Sequence, residues 1–555
     1  MLKRQTSILS AAFVIMTTIV LSQVLGLVRQ RLLVSVFGAS NTLGVYLASS
    51  RLPDLLFQLI IAGALVSAFI PVFSNFLAKG ESEEGNKMAS GLLTVGFSIF
   101  FVFSLLLFLL APFFLKILNL GSQFSSVDMQ LMANLMRVLI FGQLIFIVGT
   151  FFSAVLQSYN HFFIPGIAAA LYNLGIIVGI LTLSKTAGIF APAYGVILGS
   201  ILYVAMQLPM IRKVGFSFKP IFSIKLKGVA EVIGLMWPRT LSLAVFQLGT
   251  LAAVTLVSFL SNPGRNYVIL DYAQTLAFAP VALFGQAIAQ AAFPVLSREK
   301  ENLVEFKKTF ITSFHQMLYL ILPVSVLILV LRIPVVRLIY GAGLFDWQAT
   351  VLTGKTLALF SISIFAQALI YLVSRGFYAL YDTKTPLVVG TITTIFMIVL
   401  GFFFVLIFKF PVWSIAFAYS LGTLLNLVIS LFMLYKKIGG FEQKRLLFPA
   451  FKIFLASFFT GIALYVPIKL LDQLVFDTTR TVNLLLLTGI SSFIGLSLYL
   501  FLTWVFSVEE ARPFLLVFKR IGNLPRGSPR EAGKAGWREI LGKSDEVIDG
   551  TRFNP

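Results

Sequence analysis

From about residue 8 to residue 506 this chain is a succession of long apolar runs separated by short polar connections. A helix needs roughly 20 apolar residues to cross membrane hydrocarbon. The runs predict fourteen spans: 8–36, 43–77, 87–116, 127–158, 162–184, 189–211, 229–260, 267–297, 306–336, 348–380, 386–408, 412–435, 447–470 and 482–506. Several are longer than a bilayer requires, which predicts tilt or helix continuing past the membrane. The fold class that follows is an all-α polytopic membrane protein.

The pattern also repeats. AFIPVFS at 68–74 matches AAFPVLS at 291–297, with Pro71 over Pro294, an offset of 223. FSAVLQSYNHFFIP at 152–165 answers VSRGFYALYDTKTP at 373–386, with Pro165 over Pro386, an offset of 221. Six spans lie in each unit, an even number, so the halves share one topology. Such a parallel repeat about the membrane normal predicts two lobes with a substrate site between them near the midplane. The expected division is an N-terminal lobe over 1–211, a basic linker over 212–228, a C-terminal lobe over 229–435, two further helices over 447–506, and a soluble tail over 507–555.

Composition sharpens this picture. The chain is 58% hydrophobic and 12% charged, where soluble domains carry about 25% charged residues. A net charge of +21 invites a nucleic-acid reading, but no compact basic domain exists to dock on a duplex. The N-terminus and the even-numbered connections hold eighteen Lys and Arg residues, against eight in the odd-numbered connections. The positive-inside rule then places both termini in the cytoplasm. Lys3 and Arg4 precede an apolar run too long for a removable signal and without a small-residue cleavage site, so it is read as span 1. The linker, RKVGFSFKPIFSIKLKG, is read as an interdomain connection, with an amphipathic helix on the anionic leaflet as the alternative. The tail, with nine basic and seven acidic residues, is read as flexible, with an amphipathic turn around Trp537.

Enzyme signatures are missing. With no cysteine there is no disulfide, thiol chemistry or Cys-zinc site. TGKT at 353–356 resembles the end of a phosphate-binding loop, but the first glycine would fall at Ala349 inside an apolar helix. The two histidines are read as a turn residue, His161, and a packing residue, His315. No two acidic residues sit one turn apart within a span. No cofactor is expected, and ATP-driven transport would need another subunit, which leaves a secondary carrier or a flippase.

The costly residues are the charges inside spans. Arg29 and Arg51 each carry a cation that costs roughly 3 kcal/mol near the bilayer centre unless it meets water or a partner. A phosphate group on a transported molecule is one natural partner. The alternatives are snorkelling of both side chains to the lipid surface, and pairing of Arg51 with Asp54 one turn on. Both readings stand on the residues alone. Gln23, Gln143, Asn173, Arg239, Asp271, Gln274 and Gln367 are further candidates to line a cavity, the amides being equally readable as interhelical bonds worth about 0.6 kcal/mol each. Arg375 is read structurally, bonding helix-end carbonyls or pairing with Asp382 at the turn before Pro386.

At these positions the chain resembles the MurJ/MviN family of lipid II flippases, within the multidrug/oligosaccharidyl-lipid/polysaccharide exporter superfamily. The matching segments are VLGLVRQRLLVSVFGA (24–39), RLPDLLFQLIIAGALVSAFIPVFS (51–74), QSYNHFFIPGIAAALYNLGI (157–176), FAPVALFGQAIAQAAFPVLS (278–297) and RGFYALYDTKTP (375–386). The resemblance covers roughly residues 8–506. It implies two six-helix lobes around a central cavity with alternating access, and helices 13 and 14 bordering a groove for a polyprenyl tail. It also implies that basic residues of helices 1, 2 and 8 bind a diphosphate-linked headgroup, with Arg29 at one such arginine and Arg51 at a basic position before the Leu-Pro of helix 2.

The departures are specific. Family members usually have arginine at Gln23 and Phe57, aspartate at Gly44 and glutamate at Ala62, and an Asp-Arg pair where this chain has Gln274 and Thr275. The scaffold is kept and most cavity charges are not, so the cationic site would be rebuilt from Arg29, Arg51, Arg31 and Arg239. The expected function is movement of a polyprenyl-diphosphate-linked cell-wall precursor, lipid II first, from the inner to the outer leaflet of a bacterial cytoplasmic membrane. The chain would act as a monomer among membrane lipid, with cell-wall synthesis proteins as candidate partners. The energy source would be the membrane potential or a gradient of Na⁺ or H⁺. The alternatives are a flippase for another lipid-linked oligosaccharide, a cation-coupled exporter of small amphiphiles, and a non-transporting scaffold.

Overall fold

The computed structural model describes residues 8–62, 68–223, 226, 228–474 and 480–511. Lys3, Arg4, Lys225, Lys227 and the tail beyond residue 511 lie outside the described residues. Every regular element among those described is helical.

Span 1 is α1 (Ile8–Phe37). Span 2 is broken into α2 (Asn41–Ser49), α3 (Arg51–Phe57), a π-helical segment (Gln58–Ala62) and α4 (Ile70–Ala78). Span 3 is α5 (Ser82–Leu109), followed by the short α6 (Ala111–Leu118). Spans 4 to 6 are α7 (Ser126–Ser158), α8 (Phe163–Ala187) and α9 (Phe190–Lys213). In the second half span 7 is α10 (Val229–Val257), and span 8 is α11 (Pro263–Pro280), a π segment (Val281–Gln286) and α12 (Ala287–Arg298). Span 9 is α13 (Leu303–Val330), again followed by a short helix, α14 (Arg332–Tyr340). Span 10 is α15 (Trp347–Ser361) and α16 (Ile364–Ala379), bent by 41°. Spans 11 and 12 are α17 (Lys384–Phe402) and α18 (Trp413–Lys437), and α19 (Gln443–Leu474) and α20 (Thr481–Val505) complete the set.

Eleven described helices are long and apolar enough to cross a membrane, and the bent pair makes twelve. The other two of the fourteen segments are the broken span 2 and α10. The protein is therefore a multi-pass membrane protein. The elements carry the offset seen in the motifs: Ser126 and Trp347 open spans 4 and 10, and Ser158 and Ala379 close them, 221 residues apart at both ends. The short α6 and α14 begin the same distance apart, each with proline in its first turn (Pro112, Pro334), and both broken spans carry a π segment. Proline lacks the N–H that a continuing helix needs and ends it, which hydropathy alone does not register.

Arg212 and Lys213 of the linker belong to the end of α9, and residues 216–223 have no regular structure. Lys219 N donates to Ser90 Oγ at 3.2 Å and Ile221 N to Thr94 Oγ1 at 3.3 Å, laying this stretch along α5. A single buried apolar core runs from Leu43, Leu115 and Leu135 of the first half into Leu270, Leu322 and Leu372 of the second. Phe69, Phe73, Phe151 and Val155, toward the even-numbered connections, belong to a separate cluster. The lobes thus share their main core toward the odd-numbered connections, and at the other end only the start of α10 among the described residues, through Val229 and Val232, joins the cluster of the first half. Helix α19 packs on α13 and α20.

Arg375 and Asp382 do not pair. α16 ends before Tyr381, whose left-handed φ of 57° reverses the chain, and this turns Asp382 toward the start of α17. There its carboxylate accepts from Thr385 N (2.9 Å) and Thr385 Oγ1 (2.7 Å) and meets Lys437 Nζ (2.8 Å). Arg375 instead lies over the rings of Phe293 and Tyr378, at 5.2 and 6.0 Å. Pro386 falls in the first turn of α17, where its missing N–H has no helical partner to lose. Burial pushes the Asp382 carboxyl up, but the bonds from Lys437 and Thr385 outweigh it and hold it down at about 2. A depressed carboxyl contributes its stability above its ordinary range of about 4 and loses it as pH falls toward the depressed value. Asp382→Asn is therefore expected to cost about 1 kcal/mol, seen as a lower Tm in detergent. The deficit should be constant between pH 5 and 8, and one that fades within that window contradicts the assignment.

Candidate functional site

The break in span 2 creates the site. Pro53 has no N–H to offer the carbonyl of Ser49, so the helix divides at Ser50. Ser49 Oγ and Ser50 Oγ turn back to the carbonyls of Tyr46 and Leu47, at 2.7 and 3.0 Å. The new helix α3 carries Arg51 and Asp54 into the space between the lobes. Irregular backbone at membrane depth is tolerated where it is buried in protein or lines a cavity.

Two adjoining cavities, about 340 and 270 Å³, fill that space. Both are lined by Arg29, Gln30, Tyr172 and Thr275. The first extends past Gln23 and Asn173, the second past Arg51, Asp54, Gln143 and Asp271. Arg51 reaches across to the other lobe, where it forms an ion pair with Asp271 and donates from Nε to Tyr267 Oη at 2.5 Å. Both partners stand one turn apart on α11. Asp54, the partner suggested by spacing, is held instead by Gln143 Nε2 at 2.7 Å. Arg29 faces the cavity with no hydrogen bond or ion pair to any described residue.

The other sequence candidates divide. Gln23 lines the cavity with Arg29. Arg31 points away, donating to the carbonyls of Leu338 and Ile339 in the last turn of α14, where a cation is favoured by the helix dipole. It therefore belongs to the contact between lobes and not to the cavity. Gln274 faces a separate cavity of about 230 Å³ inside the second lobe, beside Gln367, Tyr419 and Asn426. Its neighbour Thr275 takes the central position. Arg239 lies on α10, but its side chain is outside the described residues. Asn173 is a structural amide, bonded to Ser22 O at 3.3 Å. The pairing of Arg51 with Asp271, and the presence of Asp54 and Asp271 in one cavity, were missed because these residues are 220 and 217 positions apart. The spacing of Tyr267, Asp271 and Thr275, four residues at a time on one face of α11, was the available signal.

Beyond the Arg51–Asp271 pair, toward the odd-numbered connections, the lobes close backbone to backbone. A Cβ at Gly44 would fall 2.0 Å from Gly264 O. Gly264 N donates to Asn41 Oδ1 at 2.9 Å, Leu344 N to Ser35 O at 2.9 Å, and Gly121 N to Ser258 Oγ at 2.9 Å. Tyr340 Oη donates to Gln30 Oε1 at 3.0 Å. Toward the other end α4 packs on α5 and α7, and α12 on α13 and α16, while the π segment of span 2 still meets α10 of the second lobe, where Thr240 Oγ1 donates to Leu59 O at 3.3 Å. The site is a polar cavity sealed at one end by a glycine seam.

The family model for lipid II flippase MurJ matches residues 33–484. A probable lipid II flippase MurJ of Buchnera aphidicola subsp. Acyrthosiphon pisum is 26% identical over 499 residues, covering 88% of this chain and 95% of the relative. One from Thermotoga maritima is 29% identical over 388 residues, covering 69% and 77%. Among solved structures, a lipid II flippase MurJ in an inward closed conformation superposes with a TM-score of 0.71 at 24% identity, covering 88% of this chain and 98% of that one. An inward-facing multidrug transporter of the MOP superfamily gives 0.63 at 11% identity, covering 75% and 94%. These two likenesses bear on the fold.

The seam makes a prediction. Gly44→Ala forces α2 from α11, so a cysteine at Leu47, just inside the seam, should become reactive from the odd-connection side. Gly489→Ala, whose Cβ would meet nothing, should leave Leu47→Cys unreactive from that side. Equal labelling in both backgrounds contradicts the seam.

Proposed function

The chain belongs to the lipid II flippase MurJ family, and from that premise we propose that its central cavity carries the diphosphate-linked headgroup of a lipid-linked cell-wall precursor, lipid II first, across the membrane. The family is one of flippases and not of enzymes. The observation that carries the reading is Arg29. A guanidinium inside a membrane span, facing a polar cavity with no ion pair or hydrogen bond to a described residue, is a charge that can take an anionic partner. Arg51 stands in the same cavity and presents a planar fork suited to phosphate oxygens.

The loop charges support placing the even-numbered connections and both termini in the cytoplasm. The glycine seam then closes the outer face, and the cavity is loaded from inside. Its reopening on the other side delivers the headgroup to the outer leaflet of a bacterial cytoplasmic membrane. α19 and α20 carry exposed apolar side chains, among them Phe448, Phe458, Phe493 and Phe501, and would border the polyprenyl tail while the headgroup crosses. An outward-moving diphosphate is driven by an inside-negative potential, worth about 2.3 kcal/mol per charge per 100 mV, so no cofactor is required. The chain acts as a monomer in this scheme, and cell-wall synthesis proteins are its candidate partners at the membrane.

Arg29→Ala should lower flipping in proteoliposomes by about thirtyfold or more, the weight of about 2 kcal/mol for an unpaired buried charge. Arg29→Lys should keep part of the activity, because charge survives while the fork is lost. Wild type, but not Arg29→Ala at equal membrane abundance, should sustain growth of cells depleted of their own lipid II flippase. Normal flipping by Arg29→Ala would remove Arg29 from the site.

A further inference from the structure

We infer that Asp271 is the internal competitor for Arg51: its carboxylate occupies the guanidinium while the cavity is empty, and an incoming diphosphate displaces it. The inference rests on the reading of the cavity as a diphosphate site. It adds how binding that anion is coupled to separation of the lobes.

The argument starts from which carboxylate was chosen. Asp54 is one helical turn from Arg51, yet it is held within its own lobe by Gln143. Arg51 is committed instead to two groups of the opposite lobe, Tyr267 and Asp271 on one face of α11. The pair stands at the inner edge of the close contact between spans 2 and 8. On one side of it lies the Gly44–Gly264 seam, and on the other Thr275 and the cavity with Arg29. The Arg51 and Asp271 side chains are about one fifth exposed, at 21% and 18%, so an anion reaches the guanidinium from the cavity without unfolding either helix.

Charge decides the consequence. Arg29, Arg51, Asp54 and Asp271 sum to zero, so a diphosphate entering an unchanged cavity meets two carboxylates as well as two guanidinium groups. Its phosphate oxygens match the Arg51 fork at least as well as a carboxylate does. Once displaced, Asp271 is an uncompensated charge in a low-dielectric layer, which is costly until water reaches it. Asp271 then also faces the bound anion across the cavity, and the two like charges repel until α11 parts from α2 at the seam beyond Tyr267. Anion binding therefore favours opening at the odd-connection end. Departure of the anion returns Arg51 to Asp271 and closes the seam, so reset of the empty protein needs no transported cation.

The test uses the full chain in detergent and in proteoliposomes, with farnesyl diphosphate as the binding probe and a fluorescent polyprenyl-diphosphate sugar for flipping. Asp271→Asn removes the competing charge in nearly the same shape. It should bind farnesyl diphosphate about tenfold tighter, hold the seam open in the empty protein, and flip more slowly. The charge-reversed pair Arg51→Asp with Asp271→Arg should restore the closed seam, read by spin-label distances between Thr42 and Gln348, and leave flipping abolished. A purely structural ion pair makes the opposite prediction for affinity, since Asp271→Asn would then loosen the site and weaken binding. Unchanged or weaker binding by Asp271→Asn overturns the inference, as does a charge-reversed protein that flips normally. Wild-type protein that binds no diphosphate overturns the functional reading along with it, whereas wild-type binding with an indifferent Asp271→Asn overturns this inference alone.

Discussion

Arg51 and Asp271 face each other across the two lobes, surrounded by helices whose outer faces meet hydrocarbon. A charge in that setting has few places to go, and each partner's position is conditioned by the other's. Span 2 must break at Ser50 for Arg51 to reach α11, and α11 must stay regular through Tyr267 and Asp271 to receive it. The two lobes are thereby registered at one level, with the seam on one side and the cavity on the other. Arg29, a short distance along the same cavity, is left without such a partner among the described residues, and the proposed binding role of the space rests on that asymmetry.

The repeat explains why the cavity lies where it does. Spans 2 and 8 occupy equivalent places in the two halves, and both give way to a π segment, at Gln58 and Val281. On the seam side of those points they touch through Gly44 and Gly264, and on the other side α4 and α12 part to pack on separate helices. A side chain at Gly44 would hold the helices apart, so the close approach of α2 and α11 depends on glycine there.

The fold was legible in the sequence because long apolar runs and matching prolines report spans and repeat directly. The breaks within spans were not, since hydropathy is blind to whether Pro53, Pro112 or Pro334 interrupts a run. Arg29 and Arg51 were found as costly charges. Arg31 was misplaced, although two residues on a helix are about 200° apart and the pair Arg29 and Arg31 do not share a face. Gln274 and Thr275 differ by about 100° in the same way, and only Thr275 turns inward. The pairing of Arg51 with Asp271 depends on how the lobes dock, which no local spacing encodes.

The central claim is that one polar cavity, holding Arg29 and Thr275, is exposed to each side of the membrane in turn. Because the chain contains no cysteine, a single Thr275→Cys substitution gives an unambiguous reporter. In sealed proteoliposomes of known orientation, a membrane-impermeant thiol reagent is applied to one face or the other. The account predicts modification from both faces, with protection from both by a polyprenyl diphosphate. Modification from one face only, whatever the substrate present, would contradict it.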